Sequence, residues 1–488
     1  LAAYNKDRFD DLVAAGWDLI VIDEAHRLGG STEQVARHQL GLGLAEAAPY
    51  LLLLSATPHQ GKTDAFHRLL TLLDKQAFPA VESVTRERVL PYVIRTEKRQ
   101  AVTADGLPLF KPRFTQLRPV EWGTHTDQEQ LYEAVTSYVR HGYNQALRDK
   151  KPYVGFLMIL MQRLVTSSTR AIRTALEKRL AALTESADDA NLPKLVNASG
   201  GLSMPASFPE DEWNDLSGQE QLDIVFTALR EGMANERVEI ESLLRLARQV
   251  EATGADAKAE ALFALVHDLE RAESDPDLKV LIFTEFVPTQ DMLAAYFASR
   301  GISSVSLNGS MSMEERQQVQ AAFAKDARVL ISTDAGGEGL NLQFCHIVIN
   351  FDIPWNPMRM EQRIGRVDRI GQKHLVRAFN FVFADTVEFR VREVLEEKLA
   401  VILADMGVDK TSDVLDSAEA GKLFDRLYVE ALLHPDRVDE AVGRVSEEIK
   451  QQAGNAQERN RVLVAKEAVQ PDTAPKLPIA DWVERMVG

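Results

Sequence analysis

The chain has 488 residues, enough for about three domains at roughly 100–200 residues each. Its 45% apolar and 26% charged residues are those of an ordinary globular protein, and a single cysteine, Cys345, excludes an internal disulfide framework and fits a reducing, cytoplasmic compartment. With 56 Lys and Arg against 73 Asp and Glu, the formal charge of −17 excludes a wholly basic nucleic-acid coat, so contact with a phosphate backbone requires a local positive groove on an acidic body.

In chain order, "WDLIVI" (17–22) reads as a buried strand ending on a carboxylate pair, and "YLLLL" (50–54) as a second strand. Helical periods follow over 62–74, 127–149 and 156–184. The apolar run from Val154 breaks at Gln162-Arg163, far short of the ~20 residues of a membrane span, so it predicts a buried helix and no membrane partner. Residues 185–255 carry fourteen acidic residues against five basic, with a Gly-, Ser- and Pro-rich stretch, which predicts a solvated surface insertion. From 279, strands "KVLIF", "SSVSL", "RVLIST", "HIVINF" and "VRAFNFVF" alternate with helices near 287–299, 312–325 and from Pro357. Such alternation means a parallel sheet covered on both faces. Residues 386–405 and 420–455 read as helices, before a polar tail from about 456.

Asp23 and Glu24 of "VIDEAH" stand at the carboxyl end of a strand, where α/β sheets place ligands. Asp23 suits Mg²⁺, held through water, and Glu24 suits polarisation of an attacking water toward a phosphate. The pair is equally what a helix N-terminus favours, and the tetrapeptide alone leaves both readings open. Gly61-Lys62-Thr63 imitates the end of a phosphate loop, but Ala56 stands where the first glycine belongs, and Pro58 removes an N–H from the cradle. The tripeptide also follows the Asp-Glu strand instead of preceding it, so it reads as a turn and helix start.

"SATP" after the second strand, "LIFTEF" (281–286), "SLNGSMSMEERQQVQAAF" (306–323), "VLISTDAGGEGLNLQ" (329–343) and "RMEQRIGRVDRIGQ" (359–372) follow "DEAH" in a fixed order. Together they resemble the Swi/Snf-type branch of superfamily-two helicase-like ATPases, and "PYVIRTEKR" (91–99) is similar to a further segment of that branch. The resemblance covers roughly residues 10–120 and 255–405. It implies an α/β fold of two RecA-like parallel-sheet lobes, the first truncated, with a helical insertion and a C-terminal helical extension. The expected divisions are 1–120 for lobe 1, 121–254 for the insertion with its acidic loop, 255–405 for lobe 2, and 406–488 for an accessory region and tail.

Arg363, Arg366 and Arg369 recur at three-residue spacing, which on a helix puts them near one face. The resemblance makes Arg366 and Arg369 fingers that reach across a cleft to the γ-phosphate of ATP, with Gln362 beside them. It places Gly337, Glu338 and Gly339 near the nucleotide, and Asn308, Gly309, Ser310 and Thr333 against nucleic-acid phosphates. It makes His26, with Ser55, Ala56 and Thr57, a coupling element. Trp355 reads as a packing residue, and no second His or Cys stands at a metal-ligand spacing from His26.

The implied activity is ATP- and Mg²⁺-dependent movement along nucleic acid, most naturally double-stranded DNA, or remodelling of protein–DNA complexes. The bacterial members of the branch include an RNA-polymerase recycling factor and anti-phage proteins, so further subunits are possible partners. The family's phosphate loop does not occur among the 22 residues before Asp23, and the chain opens on Leu1. The expectation is therefore a C-terminal portion of a larger protein that does not hydrolyse ATP well alone. A strand-separating helicase and a non-catalytic scaffold subunit remain the competing readings.

Overall fold

The computed structural model describes residues 6–29, 36–55, 63–94, 102–103, 106–149, 152–184, 218–228, 235–337, 340–355, 357–394 and 418–460. Ala56, Thr57, Pro58, Gly61, Lys62, Glu338, Gly339 and the acidic stretch 185–217 lie outside them, so the expectations on those residues do too. Described residues up to 94 belong to one compact unit, and those from 102 to 450 to another.

The first unit holds α1 (Lys6–Ala14), β1 (Leu19–Ile22), α2 (Ala36–Ala47), β2 (Tyr50–Leu53), α3 (Thr63–Leu73) and the single turn α4 (Arg86–Val89). Strands β1 and β2 pair in parallel, Leu19 opposite Tyr50 and Ile22 opposite Leu53. Because side chains alternate along a strand, Ile20 turns to one face, where Ile22, Leu51 and Leu53 meet Leu28, Leu69 and Leu72. Leu19, Val21, Tyr50 and Leu52 turn to the other and are exposed. The sequence suggested a buried strand, but among the described residues helices cover one face of this sheet and leave the other exposed. The helix start expected at Gly61-Lys62-Thr63 corresponds to α3, which begins on Thr63 with Asp64 in its first turn.

The second unit opens with β3 (Arg113–Val120), followed by α5 (Thr126–Arg148), α6 (Pro152–Ser167), α7 (Thr169–Thr184), α8 (Gly218–Ala228), α9 (Glu236–Thr253) and α10 (Ala257–Glu273). Then come β4 (Val280–Phe283), α11 (Val287–Ala298), β5 (Ser304–Leu307), α12 (Met313–Lys325), β6 (Val329–Ser332), the short α13 (Asp334–Gly337), β7 (Ile347–Asn350), α14 (Pro357–Ile364) and β8 (Val376–Phe383). Helices α15 (Ala418–Leu433) and α16 (Val438–Asn460) close the chain. The six strands form one parallel sheet in the order β3-β8-β7-β4-β6-β5.

Two expectations change here. Strand β3, assigned from sequence to the first lobe, pairs with β8 along its whole length, from Arg113 opposite Val376 to Val120 opposite Phe383. The division expected at 120 therefore falls earlier, and the helices after β3 are inserted within the second unit. The alternation "RFTQLRPV" carries too few apolar residues to announce a strand, because β3 is a half-exposed edge. Second, residues 236–253, read with 185–255 as solvated surface, form a helix of the expected helical insertion and bury one face. Ile240, Leu243, Leu244, Ala247 and Val250 recur at helical spacing and are buried, a period that the surplus of acids obscured.

Inserted helices, sheet and C-terminal helices share one apolar core, from Leu157 and Leu160 through Val280 and Ile282 to Leu427 and Val442. Polar pairs fix its register. Asp352, just past β7, accepts hydrogen bonds from Ser167 Oγ at 2.9 Å, Thr284 Oγ1 at 2.5 Å and the Glu285 N–H at 3.0 Å. Lys258 Nζ lies 3.2 Å from its second oxygen. Burial pulls the Lys258 ammonium below its usual value, and Asp352 beside it offsets only part of that effect. The insertion thus covers the carboxyl ends of β4, β7 and β8, leaving a cavity of about 30 Å³ lined by Arg163, Lys258, Glu285 and Glu388, room for a water. Trp355, expected to pack, stacks on Tyr428 of α15 with ring centroids 4.6 Å apart.

Arg179 and Glu236, both buried, meet at 2.8 Å, and Tyr138 donates to the same carboxylate at 2.9 Å. Arg179→Met should cost about 3 kcal/mol in denaturant titration, because it strands a buried carboxylate, and Arg179→Met with Glu236→Leu should recover most of it.

Candidate functional site

In the first unit the β1–β2 ladder runs on into a tight turn: Leu54 N–H donates to Ile22 O at 2.8 Å, and Ala25 N–H to Leu54 O at 2.9 Å. Asp23 and Glu24 sit exposed at the top of this turn. Glu24 adopts φ 50°, a left-handed conformation that L-residues other than Asn and Asp seldom take. Its N–H donates to Asp23 Oδ1 at 2.8 Å. Backbone strain of this kind, on the order of 1–3 kcal/mol, collects at functional turns. His26 follows, its Nδ1 3.1 Å from Ser55 Oγ and 3.4 Å from Glu24 Oε2. The structure therefore brings Asp23, Glu24, His26 and Ser55 together.

Among the described residues no three His, Cys, Asp or Glu side chains gather as a metal cluster. One or two exposed carboxylates at a strand end suit Mg²⁺ all the same, since that ion keeps several waters and takes its other oxygens from substrate phosphates.

The second unit gathers the remaining predicted residues at two places. At the ends of β5 and β6, Thr333 N–H donates to Leu307 O at 3.0 Å, and α13 packs against the "NGS" turn. A Cβ on Gly336 would lie 2.4 Å from Leu307 O and 2.7 Å from the Asn308 Cα, so only glycine permits this approach. A Cβ on Gly337 would lie 2.8 Å from the Phe283 ring. Asn308 Oδ1 accepts from Ser310 N–H and Oγ, and its amide donates to Gln290 Oε1 at 3.2 Å. The Gln290 amide, fully buried, donates to both Leu307 O and Ile331 O and so bridges the two strand ends. Arg316 holds the turn from α12, donating to Gly309 O and Met311 O, while Ser312 and Glu315 form a reciprocal cap on that helix.

Gly309 and Ser310 are exposed, and Asn308 shapes the turn that presents them. The side chain of Thr333 is buried, and its Oγ1 accepts the Gly336 N–H at 3.3 Å. Its hydroxyl braces the glycine turn.

The second place is the arginine segment. Helix α14 ends at Ile364, and the chain continues through tight turns that begin with Gly365 N–H donating to Glu361 O. The three arginines accordingly do not share one helical face. Arg363 lies on the helix and is buried; Arg366 and Arg369 follow it and are partly exposed. Gly365, whose conformational freedom weakens the helix, marks the change. Arg369 Nε donates to Gly365 O at 3.0 Å, Arg366 O accepts from Leu342 N–H at 3.1 Å, and Gln362 is exposed. Gln372 closes the turn, donating to Cys345 O and Val367 O. Arg363 forks onto Asp334 at 2.5 and 2.9 Å. Burial penalises the Asp334 charge, but Arg363 more than offsets this and holds the carboxyl below its usual value.

Sequence reasoning missed Asp334, Gln290 and Arg316 as organisers of these turns. An acid at the start of a glycine-rich turn was the one available sign of Asp334.

Residues 4–112 match the SNF2-related domain, and residues 257–371 match the helicase conserved C-terminal domain. The chain belongs to the Swi/Snf-type helicase-like ATPases. It is 27% identical over 429 residues to an uncharacterized ATP-dependent helicase, YqhH, of Bacillus subtilis, covering 84% of this chain and 63% of that protein. It is 30% identical over 391 residues to the RNA polymerase-associated protein RapA of Pseudomonas aeruginosa, covering 75% of this chain and 34% of that one. The chain thus spans between about a third and somewhat under two thirds of these curated relatives. Two solved structures, a Pyrococcus furiosus Hef helicase domain and a Sulfolobus solfataricus SWI2/SNF2 ATPase core with double-stranded DNA, superpose with TM-scores of 0.43 and 0.34, at 15% and 19% identity. They cover 80% and 86% of this chain, and 77% and 74% of their own, and scores this low carry no argument. Among the described residues no helix is long and apolar enough to cross a membrane.

Gly336→Ala should lower thermal stability by about 1–3 kcal/mol, since backbone must move to admit the methyl group. Asp334, its folded value below the ordinary 3.8, adds stability that is complete above 3.8 and lost as pH falls through the lowered value. Urea titrations across the acid range should show a flatter acid limb for Asp334→Asn.

Proposed function

We propose that the intact protein couples ATP hydrolysis to movement along double-stranded DNA, or to remodelling of protein complexes bound to it. The observation that carries this reading is the turn after β1, which holds two adjacent carboxylates exposed on a strained backbone and links them through His26 to Ser55. A plain helix start has no use for that arrangement.

In this reading Asp23 holds Mg²⁺ and Glu24 orients and polarises the attacking water. ATP would supply the phosphoryl group, and Mg²⁺ held by Asp23 would supply positive charge beside its oxygens. Arg366 and Arg369, with Gln362 beside them, stabilise the charge that develops in phosphoryl transfer. Gly337, with Glu338 and Gly339, lies near the nucleotide. His26 and the Ser55-Ala56-Thr57 segment report the state of the phosphates to the DNA-contacting loops. The exposed Gly309 and Ser310, shaped by Asn308 and braced by Thr333, meet the phosphate backbone, which needs no base readout.

Residues 1–488 contain no Gly-x-x-x-x-Gly-Lys-[Ser/Thr]. By themselves they are therefore expected to turn over little ATP. The RNA-polymerase association in the name of the Pseudomonas relative makes a transcription complex the first partner to try.

ATP turnover by the gene's full product, with and without duplex DNA, is the deciding measurement. Duplex should stimulate it, and Glu24→Gln and Arg369→Ala should each lower kcat by about 100-fold or more with the fold intact. Turnover indifferent to both substitutions removes the reading, and displacement of an annealed strand in the same mixture would favour a helicase.

A further inference from the structure

We infer that Arg363 is a positioning residue, whose buried fork onto Asp334 sets where Arg366 and Arg369 stand relative to the glycine turn; this rests on the function proposed above. The guanidinium is fully engaged. Its Nε and Nη2 meet the two oxygens of Asp334 at 2.5 and 2.9 Å, and its Nη1 donates to Asp352 O at 2.7 Å and approaches Asn350 Oδ1 at 3.4 Å. Its carbon lies 5.4 Å from the centre of the Phe283 ring, the same ring that leaves no room for a Cβ on Gly337.

Three pieces of chain meet on this one side chain. Asp334 begins the glycine turn directly after Thr333, Asn350 ends β7 with Asp352 just past it, and Arg363 itself stands in the last turn of α14. The helix stops one residue later, and Arg366 follows through the Gly365 turn, with Arg369 tied back to Gly365 O. A displacement of the end of α14 is therefore carried into both later guanidinium groups. Stability alone does not call for such a pair, because apolar residues of similar volume often serve a core as well or better. Lysine retains the charge but not the planar fork, so it cannot hold both oxygens of Asp334 and the carbonyl of Asp352 together.

The test is a double-mutant cycle on duplex-stimulated ATP turnover by the gene's full product, with Arg363→Lys, Asp334→Asn and the two combined. Each single variant should lose about tenfold in kcat while KM for ATP stays within about twofold. The combined variant should lose no more than the worse single one, since both changes break one interaction. Thermal unfolding reports whether each variant folds. If Arg363→Lys does not fold, the uncharged pair Arg363→Gln with Asp334→Asn takes its place, and the same tenfold fall with unchanged KM is expected of it. Folded variants with unchanged kcat, single losses that multiply in the combined protein, or a rise in KM matching the fall in kcat would each overturn the inference. Wild-type protein that duplex does not stimulate overturns the proposed function itself and this inference with it, whereas a stimulated wild type beside equally stimulated variants overturns the inference alone.

Discussion

The second unit depends on one carboxylate. Asp352 stands where β7 ends, and its oxygens collect Ser167 of the inserted helices, Thr284 and the Glu285 amide at the end of β4, and Lys258 of α10. A buried carboxylate is tolerable only when its lone pairs are filled, and here donors from separate elements fill them. The consequence is geometric. The inserted helices cannot shift on the sheet without stranding this charge, and the backbone carbonyl of the same residue receives Arg363. Insertion, sheet and arginine segment therefore answer to a single point.

That arrangement divides the carboxyl edge of the sheet. Parallel sheets place ligands at this edge, and helices cover the ends of β4, β7 and β8 around a small cavity lined by Arg163, Lys258, Glu285 and Glu388. The ends of β5 and β6 carry Gly309 and Ser310 at the surface instead, with Gln290, Arg316 and Gly336 fixing their backbone. Chemistry that needs access to solvent is confined to what the insertion leaves open.

Much of the fold was legible in the sequence because it rests on short-range pattern. The five strands from β4 to β8 are apolar runs separated by helical periods, and each lies where the alternation put it. The edge strand β3 was not legible, since its identity depends on pairing with a strand some 260 residues later and not on its own composition. The same limit governs the site. Asp23, Glu24 and the arginines stand in recognisable strings, but that Arg363 is a buried clasp while Arg366 and Arg369 are partly exposed follows from where Asp334 lies in space. The bracing role of Thr333 was hidden for a related reason: a hydroxyl next to a glycine turn can serve either solvent or backbone, and only the path of the chain decides which.

The open side of the β1–β2 sheet bears on how the polypeptide behaves in a tube. Leu19, Val21, Tyr50 and Leu52 form an exposed, uncharged strip on a sheet that has two strands among the described residues, the kind of surface that attracts its own copies. The formal charge of −17 resists that attraction at low ionic strength and loses range as salt screens it. Colloidal behaviour of these residues is thus tied to buffer composition, and added salt promotes clumping here.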